Sequence, residues 1–251
     1  MIARVQPLPV RLERVPVLLE QDGAALDQIG VLQHETLGDR VTEELRSLLI
    51  AGRLAPGEKL SLRRVAEALG VSMMPVREAV SRLAADRALE VLPGRAVRVP
   101  VLTLAQFREL TRLRLVIEGF AAEEAARVAS PEHIVRIAGH DADFRQAASA
   151  DPPDSAGAVA ANRDLHFALY EAAGMPSLIE MIERLWLKAG PILNLDMRDE
   201  PRRLQGGSAM QAHARLLDAV RRRDAAGARA ALEDDITGAA AHIEDTGQLR
   251  A

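Results

Sequence analysis

Apolar residues recur at the spacing of a helix face in three short segments between residues 37 and 85. Residues three and four positions apart lie on one side of an α-helix, so this pattern predicts three short helices. Two stretches rich in Val and Leu follow at residues 89–92 and 96–99, and Pro93-Gly94 between them favours a tight turn. Three helices and a β-hairpin predict a winged helix-turn-helix at residues 34–100. The apolar positions of the helices are Val41, Leu45, Leu48 and Leu49, then Val65, Ala68 and Leu69, then Val76, Ala79, Val80 and Leu83.

Polar residues and one glycine mark the ends of these helices. Thr36 and Asp39 have the spacing of a capping box at the start of the first helix. Ser61 and Ser72 precede the second and third helices, where a hydroxyl can accept a hydrogen bond from an unpaired backbone N–H. Gly70 lies where the second helix needs a left-handed residue to end.

After residue 102 the pattern contains helical segments only. Six helices are predicted near residues 104–129, 131–149, 156–173, 177–197, 202–222 and 225–244. Ser177 and Ser208 are predicted to cap the fourth and fifth, and Gly190-Pro191 to kink or divide the fourth. The fold class is therefore mainly α, with an antiparallel bundle of about six helices at residues 101–251. Residues 1–33 have no sustained period and are predicted to form a poorly ordered arm.

The amino-acid composition excludes several kinds of functional site. Aromatic residues make up 2% of the chain and hydrophobic residues 48%, a mixture that favours helix over sheet and predicts a packed core. The absence of cysteine excludes disulfides, thiolate metal sites and a cysteine nucleophile, and it fits a reducing cytoplasm. We expect no membrane span, because no stretch of about 18 uncharged apolar residues exists. The first residues also lack the apolar core of a secretory signal.

The net charge of −4 is unevenly distributed along the chain. Residues 34–100 contain eleven Lys and Arg against nine Asp and Glu, a balance of +2, whereas residues 1–33 and 101–251 have balances of −1 and −5. The predicted winged helix is thus the only segment with a positive balance. This fits a nucleic-acid partner, although the placement of charge on one face matters more than its sum.

The segment from residue 40 to 98 resembles the DNA-binding domain of GntR-type regulators. The resemblance rests on the order and spacing of three runs, Leu54-Ala55-Pro56-Gly57-Glu58-Lys59-Leu60, Val65-Ala66-Glu67-Ala68-Leu69-Gly70-Val71-Ser72 and Pro75-Val76-Arg77-Glu78-Ala79-Val80 with Leu83. It implies double-stranded DNA as the partner. Two copies of such a domain would read a palindromic operator with half-sites about one helical turn apart.

The resemblance and the physics of a helix N-terminus indicate the same DNA contacts. A helix that begins after Ser72 offers backbone N–H groups and a positive dipole end to a phosphate, together with the side chains of Met73 and Met74. An arginine one turn further, Arg77, can form two hydrogen bonds to a guanine edge, and by resemblance it is the main base reader. Met73 stands where the family often has arginine or another polar residue, so the operator sequence is not implied.

Three further DNA contacts are implied by the resemblance. Arg63 corresponds to a family arginine that contacts base or phosphate. At the tip of the wing, Gly94 and Arg95 are expected to approach the minor groove, where a small residue lets the backbone come close.

Residues 103–246 resemble the C-terminal, FCD-type domain of the FadR-like branch of the same family. Three runs carry this resemblance: Arg114-x-x-x-Glu118, Asn162-x-x-Leu165-His166 and His213-x-x-Leu216-Leu217. They imply a homodimer that binds a small organic acid. The expected effector-binding residues are Arg114, Asn162, His166 and His213, with Arg114 pairing with the carboxylate of the ligand.

Many members of this branch hold a divalent metal with an Asp or Asn, a His four residues later and two further His residues. Asn162, His166 and His213 match the first three positions, and the spacing of the family places Asp235 at the fourth. A buried carboxylate beside two imidazoles should be paired or metal-bound. This set of oxygen and nitrogen donors suits Zn²⁺, Ni²⁺ or Mn²⁺. His242 is an alternative ligand, but it lies about 10.5 Å further along a helix than Asp235, so both cannot bind one ion.

Several alternatives stay open at this point. Asn162, His166, His213 and Asp235 can form a hydrogen-bonded polar pocket without a metal, and Arg114 can simply pair with Glu118. Trp186 is interpreted as a core residue. The leading hypothesis is a repressor released from DNA by its effector, and the rival is a metal-dependent hydrolase that uses His166, His213 and Asp235. The hydrolase leaves residues 36–98 unexplained, and a helical adaptor leaves the inward polar residues unexplained.

Overall fold

The computed structural model describes residues 36–199, 207–245 and 249–250, without the side chains of Arg95 and of residues 194–199. The predicted arm at residues 1–33 lies outside the described residues. No described helix combines the length and apolar character needed to cross a membrane. The two predicted domains pack together within one unit, and the boundary near residue 100 stays a prediction.

The N-terminal part is a winged helix with three helices and a small sheet, as the sequence predicts. Its three strands are antiparallel, with β3 in the middle, and a short turn at Pro93–Arg95 forms the wing tip. Strand β1 was not predicted, because two residues are too few to show an alternating pattern. Its partner defines it, with Lys59 opposite Arg98. The elements are α1 Leu37–Ile50, β1 Lys59–Leu60, α2 Leu62–Leu69, α3 Met73–Ala85, β2 Glu90–Val91 and β3 Val97–Arg98.

Most of the predicted caps of these helices are confirmed, and one is wrong. Thr36 and Asp39 form the capping box of α1, and Gly70 ends α2 in the left-handed region with φ 64°. Ser72 occupies the N-cap position of α3, but its hydroxyl accepts no hydrogen bond from the helix. The third helical residue is Pro75, which has no N–H to donate to a capping side chain. The hydroxyl of Ser72 therefore has no role in capping α3.

The C-terminal part contains six helices among the described residues, the number predicted. Helix α5 packs mainly on α6, while α9 packs on both α4 and α8. The central core is rich in alanine, which lets these helices approach closely. The helices are α4 Leu104–Val128, α5 Pro131–Ala148, α6 Ser155–Ala172, α7 Pro176–Asp199, α8 Ser208–Arg221 and α9 Ala225–Asp245.

Two predicted caps in the bundle are wrong. Helix α7 begins at Pro176, so Ser177 lies inside its first turn. The fixed φ of proline suits the first position of a helix, which explains the earlier start. Ser208 is the first helical residue of α8, and the N-cap is Gly207 with φ 76°. Helix α7 also continues through Pro191 and is not divided there.

Helix α7 joins the bundle to the winged helix at a close backbone contact. Leu187 is buried in the core of the winged helix, and Arg46 of α1 forms a 2.7 Å ion pair with Glu183. At Gly190 a Cβ atom would lie 2.6 Å from the carbonyl oxygen of Leu49 and 2.7 Å from that of Ile50. Only glycine fits there without moving backbone atoms.

We expect Gly190→Ala to destabilise the protein by about 1–3 kcal/mol, the usual cost of overpacking. Urea unfolding followed by circular dichroism measures the free energy of unfolding. The matched control is Gly139→Ala in α5, where an added Cβ meets nothing within 4 Å. That change should stabilise by about 0.5–1 kcal/mol, because alanine favours helix. Equal stability of the two variants would contradict the close contact.

Candidate DNA-binding surface and buried polar pocket

Helix α3 presents an exposed surface at its N-terminal end. Met74 is 73% exposed, and Ser72 and Arg77 are exposed as well. Arg77 forms no ion pair or hydrogen bond with any residue in the described part of the chain. Its guanidinium is therefore available to a partner.

Nearby arginines on the same domain are already paired. Arg63 of α2 forms an exposed 2.9 Å ion pair with Glu67. Arg82 bonds to Asp39 and to Glu78, and so ties α3 to the start of α1. The hydrogen bond from the backbone N–H of Thr36, followed by that from Arg82, lowers the pKa of Asp39 to about 2. The Asp39 carboxylate that pairs with Arg82 is therefore ionised at neutral pH. Arg77 differs from these arginines in having a free side chain.

Arg77 lies where two surface grooves meet. One groove runs along the start of α1 beside Met74, and the other separates α3 from the wing and is lined by Met73 and Gly94. Gly94 has φ 79°, which glycine adopts without strain. Met73 is half-buried and packs against the winged-helix core, so it is less exposed than the sequence predicts. Arg95 belongs to the wing tip, and its side chain lies outside the description.

A pocket in the bundle brings the predicted effector and metal residues together. Arg114, Asn162, His166 and Asp235 line it, together with Trp186. His213 is buried next to this pocket, with its ring 5.8 Å from that of His166. Five predicted residues from four different helices thus converge on one region, and Trp186 is both buried and part of the pocket wall.

Three of these side chains meet closely enough to share a cation. The Nε2 atom of His166 lies 3.2 Å from Oδ2 of Asp235, and the Nε2 atom of His213 lies 3.8 Å from Oδ1. One donor atom from each residue falls within 4.8 Å of the other two. This described cluster contains Asp235 and not His242, as the spacing of the family implies.

The protonation of these groups suits a cation. Burial alone would raise the pKa of Asp235, but the hydrogen bond with His166, followed by the electrostatic attraction of His213, lowers it to about 2. Burial lowers the pKa of His213 and outweighs the attraction of Asp235. At neutral pH the pocket therefore contains an ionised carboxylate beside a neutral imidazole, and both nitrogens of His213 are buried without a hydrogen bond to the described residues. Such a donor set fits a divalent metal.

Arg114 is engaged within the protein as well as facing the pocket. Its Nε lies 2.6 Å from Oε1 of Glu118 and its Nη2 lies 3.1 Å from Oε2, while the guanidinium carbon lies 5.1 Å from the centre of the Trp186 ring. Arg114 is 5% exposed and Glu118 is fully buried. The helix pair that the sequence left as an alternative is therefore present, and one terminal nitrogen of Arg114 stays free of Glu118.

Sequence reasoning missed Tyr170, which connects this pair to His166. The Tyr170 hydroxyl donates to Glu118 and lies 2.9 Å from Nδ1 of His166. Burial raises the pKa of Tyr170 well above its usual value, so the hydroxyl keeps its proton. The signal in the sequence was its position four residues after His166, on the same helix face.

Asp141 of α5 was missed as well. Its Oδ1 atom lies 3.7 Å from Nδ1 of His213, and its Oδ2 atom accepts a 2.8 Å hydrogen bond from Arg145. Ile137, Asp141, Phe144 and Ala148 are the buried residues of α5. The apolar spacing of that helix could therefore have placed Asp141 inside the bundle.

Comparisons with known proteins agree on one family. Residues 37–99 match the family described as bacterial regulatory proteins, gntR family, and residues 109–238 match the FCD domain. The HTH-type transcriptional regulator McbR of Escherichia coli K12 is 34% identical over 165 residues, which cover 66% of this chain and 74% of that protein. The gluconate operon transcriptional repressor of Bacillus subtilis 168 is 32% identical over 97 residues, or 39% of this chain and 40% of that protein.

Solved structures give the same result. The structure of E. coli McbR/YncC covers 85% of this chain and 99% of its own, with 30% identity and a TM-score of 0.78. A putative GntR transcriptional regulator from Rhodococcus sp. RHA1 covers 83% of this chain and 97% of its own, with 25% identity and a TM-score of 0.67.

Proposed function

The chain belongs to the GntR family of bacterial regulatory proteins and carries an FCD domain, and we propose that it is a homodimeric repressor that a small carboxylate releases from a palindromic operator. It is a transcriptional regulator, and its winged helix implies binding to DNA. The relatives are regulators and not enzymes, so the alternative of a metal-dependent hydrolase is not supported.

The observation that carries the proposal is the free guanidinium of Arg77 on α3. An unpaired arginine one turn into a recognition helix is positioned to form two hydrogen bonds with a guanine. Ser72 and the first N–H groups of α3 are available to a phosphate beside it, while Met74 can contact a thymine methyl group. We assign Arg63, Met73, Gly94 and Arg95 to the edges of the same DNA-binding surface.

The buried pocket supports an effector that acts on DNA binding. Trp186 lines the pocket, and the next residue, Leu187, is buried in the core of the winged helix. A ligand that moves Trp186 would therefore also move a residue packed against the DNA-binding domain. Such a ligand shifts the protein toward release only by its difference in affinity for the two arrangements. Repression is also the role named for the similar gluconate operon repressor.

We further propose that Asn162, His166, His213 and Asp235 hold a divalent metal. FCD domains often bind metals, and the neutral imidazole and ionised carboxylate described above fit Zn²⁺, Ni²⁺ or Mn²⁺. When bound, the metal supplies positive charge to which an effector carboxylate can bind. The free nitrogen of Arg114 and the amide of Asn162 would orient the same ligand from the pocket wall.

An apolar stripe on α4 supports a second copy of the chain as partner. Leu113, Val116 and Phe120 are 45%, 61% and 37% exposed and have the spacing of one helix face. Burying this stripe against its symmetry mate would remove apolar surface from water in both copies. Two copies are also what a palindromic operator requires.

We expect Val116→Glu to convert a dimer into a monomer, because a charge buried in an apolar interface is costly. Size-exclusion chromatography with light scattering should give twice 27.2 kDa for the unchanged chain and 27.2 kDa for the variant. The control is Val135→Glu on α5, also at a highly exposed valine, which should leave the dimer intact. A monomeric unchanged chain, or a dimeric Val116→Glu variant, would contradict the proposed interface.

Selection from a pool of random-sequence duplexes tests the proposed function. The purified protein is mixed with the pool, and the bound fraction is sequenced. We expect enrichment of one short palindrome with half-sites about one helical turn apart. If no sequence is enriched even at low salt, where phosphate contacts are strongest, the proposal is wrong.

A further inference from the structure

The two nitrogens of His213 face two different carboxylates. Nδ1 lies 3.7 Å from Oδ1 of Asp141, and Nε2 lies 3.8 Å from Oδ1 of Asp235. His213 is buried, so neither nitrogen is solvated by bulk water. An imidazole that keeps a lone pair on one nitrogen has a single proton, so only one of the two carboxylates can accept it.

The buried atoms that need a partner decide between these carboxylates. Oδ1 of Asp141 is buried and has no hydrogen-bond partner in the described part of the chain, whereas Asp235 contacts Nε2 of His166 and lines the pocket, where a ligand can reach it. A proton on Nδ1 would point toward Asp141, and an approach from the present 3.7 Å to about 3 Å would complete the hydrogen bond. A proton on Nε2 would leave Asp141 with a buried, unpaired oxygen. Because a buried oxygen without a hydrogen bond destabilises the folded protein, we expect the proton of His213 on Nδ1.

Asp141 is itself held in place by Arg145. The Nε atom of Arg145 donates to Oδ2 of Asp141 at 2.8 Å, and its Nη2 atom donates to the carbonyl of Met210 at 2.6 Å. Met210 precedes His213 by three residues on α8, so Arg145 fixes Asp141 of α5 relative to the helix that carries His213. The Phe144 ring packs edge-on against the His213 ring, with 4.9 Å between the ring centres, and further restricts rotation of the imidazole.

We propose that Asp141 is a positioning residue that accepts the Nδ1 proton of His213 and leaves its Nε2 lone pair directed toward Asp235 and His166. The consequence for a metal rests on the proposed function, since Nε2 is the atom that would bind the ion. A hydrogen-bonded carboxylate behind a ligating histidine fixes its tautomer and its orientation.

Two measurements test this inference. The first is ¹⁵N NMR of histidine side chains in the metal-free protein near neutral pH, with His213→Gln used to assign the signals. We expect His213 to carry its proton on Nδ1. A proton on Nε2 in the unchanged protein would overturn the inference, whatever the metal affinity.

The second measurement is the zinc affinity of Asp141→Asn, obtained by competition with a chromogenic chelator. Arg145 and His213 face different oxygens of Asp141, and asparagine has an NH₂ group in place of one of them, so it cannot present an acceptor to both donors. We expect zinc affinity to fall roughly 10–100-fold, the usual effect of losing such a partner, and the Nδ1 tautomer of His213 to be lost. The matched control is Asp143→Asn, an exposed aspartate on the same helix, which should change neither.

The outcomes separate this inference from the proposed metal site. If the unchanged protein binds no zinc, the metal proposal fails, while the tautomer of His213 still decides the role of Asp141. If zinc binds and Asp141→Asn binds it as tightly as Asp143→Asn does, Asp141 is not a positioning residue. If Asp141→Asn does not fold, the tautomer in the unchanged protein gives the answer.

Discussion

Replacing Glu118 with alanine is expected to destabilise the bundle by about 3–5 kcal/mol, because it leaves the charge of Arg114 buried without its partner. Glu118 is fully buried, accepts two hydrogen bonds from Arg114 and a third from Tyr170. All three donors would lose their acceptor in the variant. The free energy of unfolding in urea, compared with that of the unchanged chain, measures the loss.

A double variant separates the cost of an unpaired charge from that of lost packing. Arg114→Met with Glu118→Leu replaces both charges by apolar groups of similar size, and such replacements of buried ion pairs are often neutral or stabilising. We therefore expect the double variant to recover the part of the loss that comes from the unpaired charge of Arg114, while the Tyr170 hydroxyl still lacks its acceptor, at a cost of about 1–3 kcal/mol. A double variant as unstable as the single one would show that the charge of Arg114 is not the source of the loss.

Arg77→Ala is expected to lower the preference for the operator by about 1–3 kcal/mol per contacted base pair, or roughly 5–150-fold in relative affinity. The effect should appear in the ratio of dissociation constants for the selected operator and for a scrambled duplex, measured by fluorescence anisotropy. Affinity for the scrambled duplex should fall less, since phosphate contacts carry no sequence information.

The control for Arg77→Ala is Arg184→Ala, which removes an exposed arginine from α7 of the bundle. It changes the net charge equally but lies outside the proposed DNA-binding surface, so the ratio should stay the same. An unchanged ratio in Arg77→Ala would instead remove this residue from base recognition.

Much of the fold could be predicted because helix faces and helix ends are local features of sequence. The apolar period of α1, α3 and the bundle helices places their core residues, and Thr36 and Gly70 mark helix ends by chemistry that involves only near neighbours. The prediction that the Ser72 hydroxyl caps α3 was wrong for a local reason as well, since Pro75 lacks the N–H that would donate to it. Ser177 and Ser208 fit a capping pattern, but Pro176 and Gly207 begin those helices.

The candidate site was predicted less completely, because its residues come together from separate helices. Resemblance to the family placed His166, His213 and Asp235, and the structure brings these three together. It did not place Asp141, whose only link to His213 is the packing of α5 against α8. Strand β1 was missed for the same reason, since its existence depends on pairing with β3 some forty residues later.

Helix α7 connects the pocket of the bundle to the winged helix, and no local sequence pattern predicts this connection. Trp186 and Leu187 are neighbours in sequence, yet the first lines the pocket and the second packs in the winged-helix core. Gly190 lets the same helix contact the end of α1 through backbone atoms. We propose these contacts as the route by which an effector in the bundle would change DNA binding.

Sequence-specific recognition can be tested by comparing binding of the unchanged protein to its selected operator and to a duplex with both half-sites scrambled, over a series of salt concentrations. We expect the operator to be bound roughly 10³–10⁷-fold more tightly at physiological salt, the range typical of specific regulators. Both affinities should fall as salt increases, because phosphate contacts contribute to each. Equal affinity for the two duplexes at every salt concentration would contradict sequence-specific recognition by this protein.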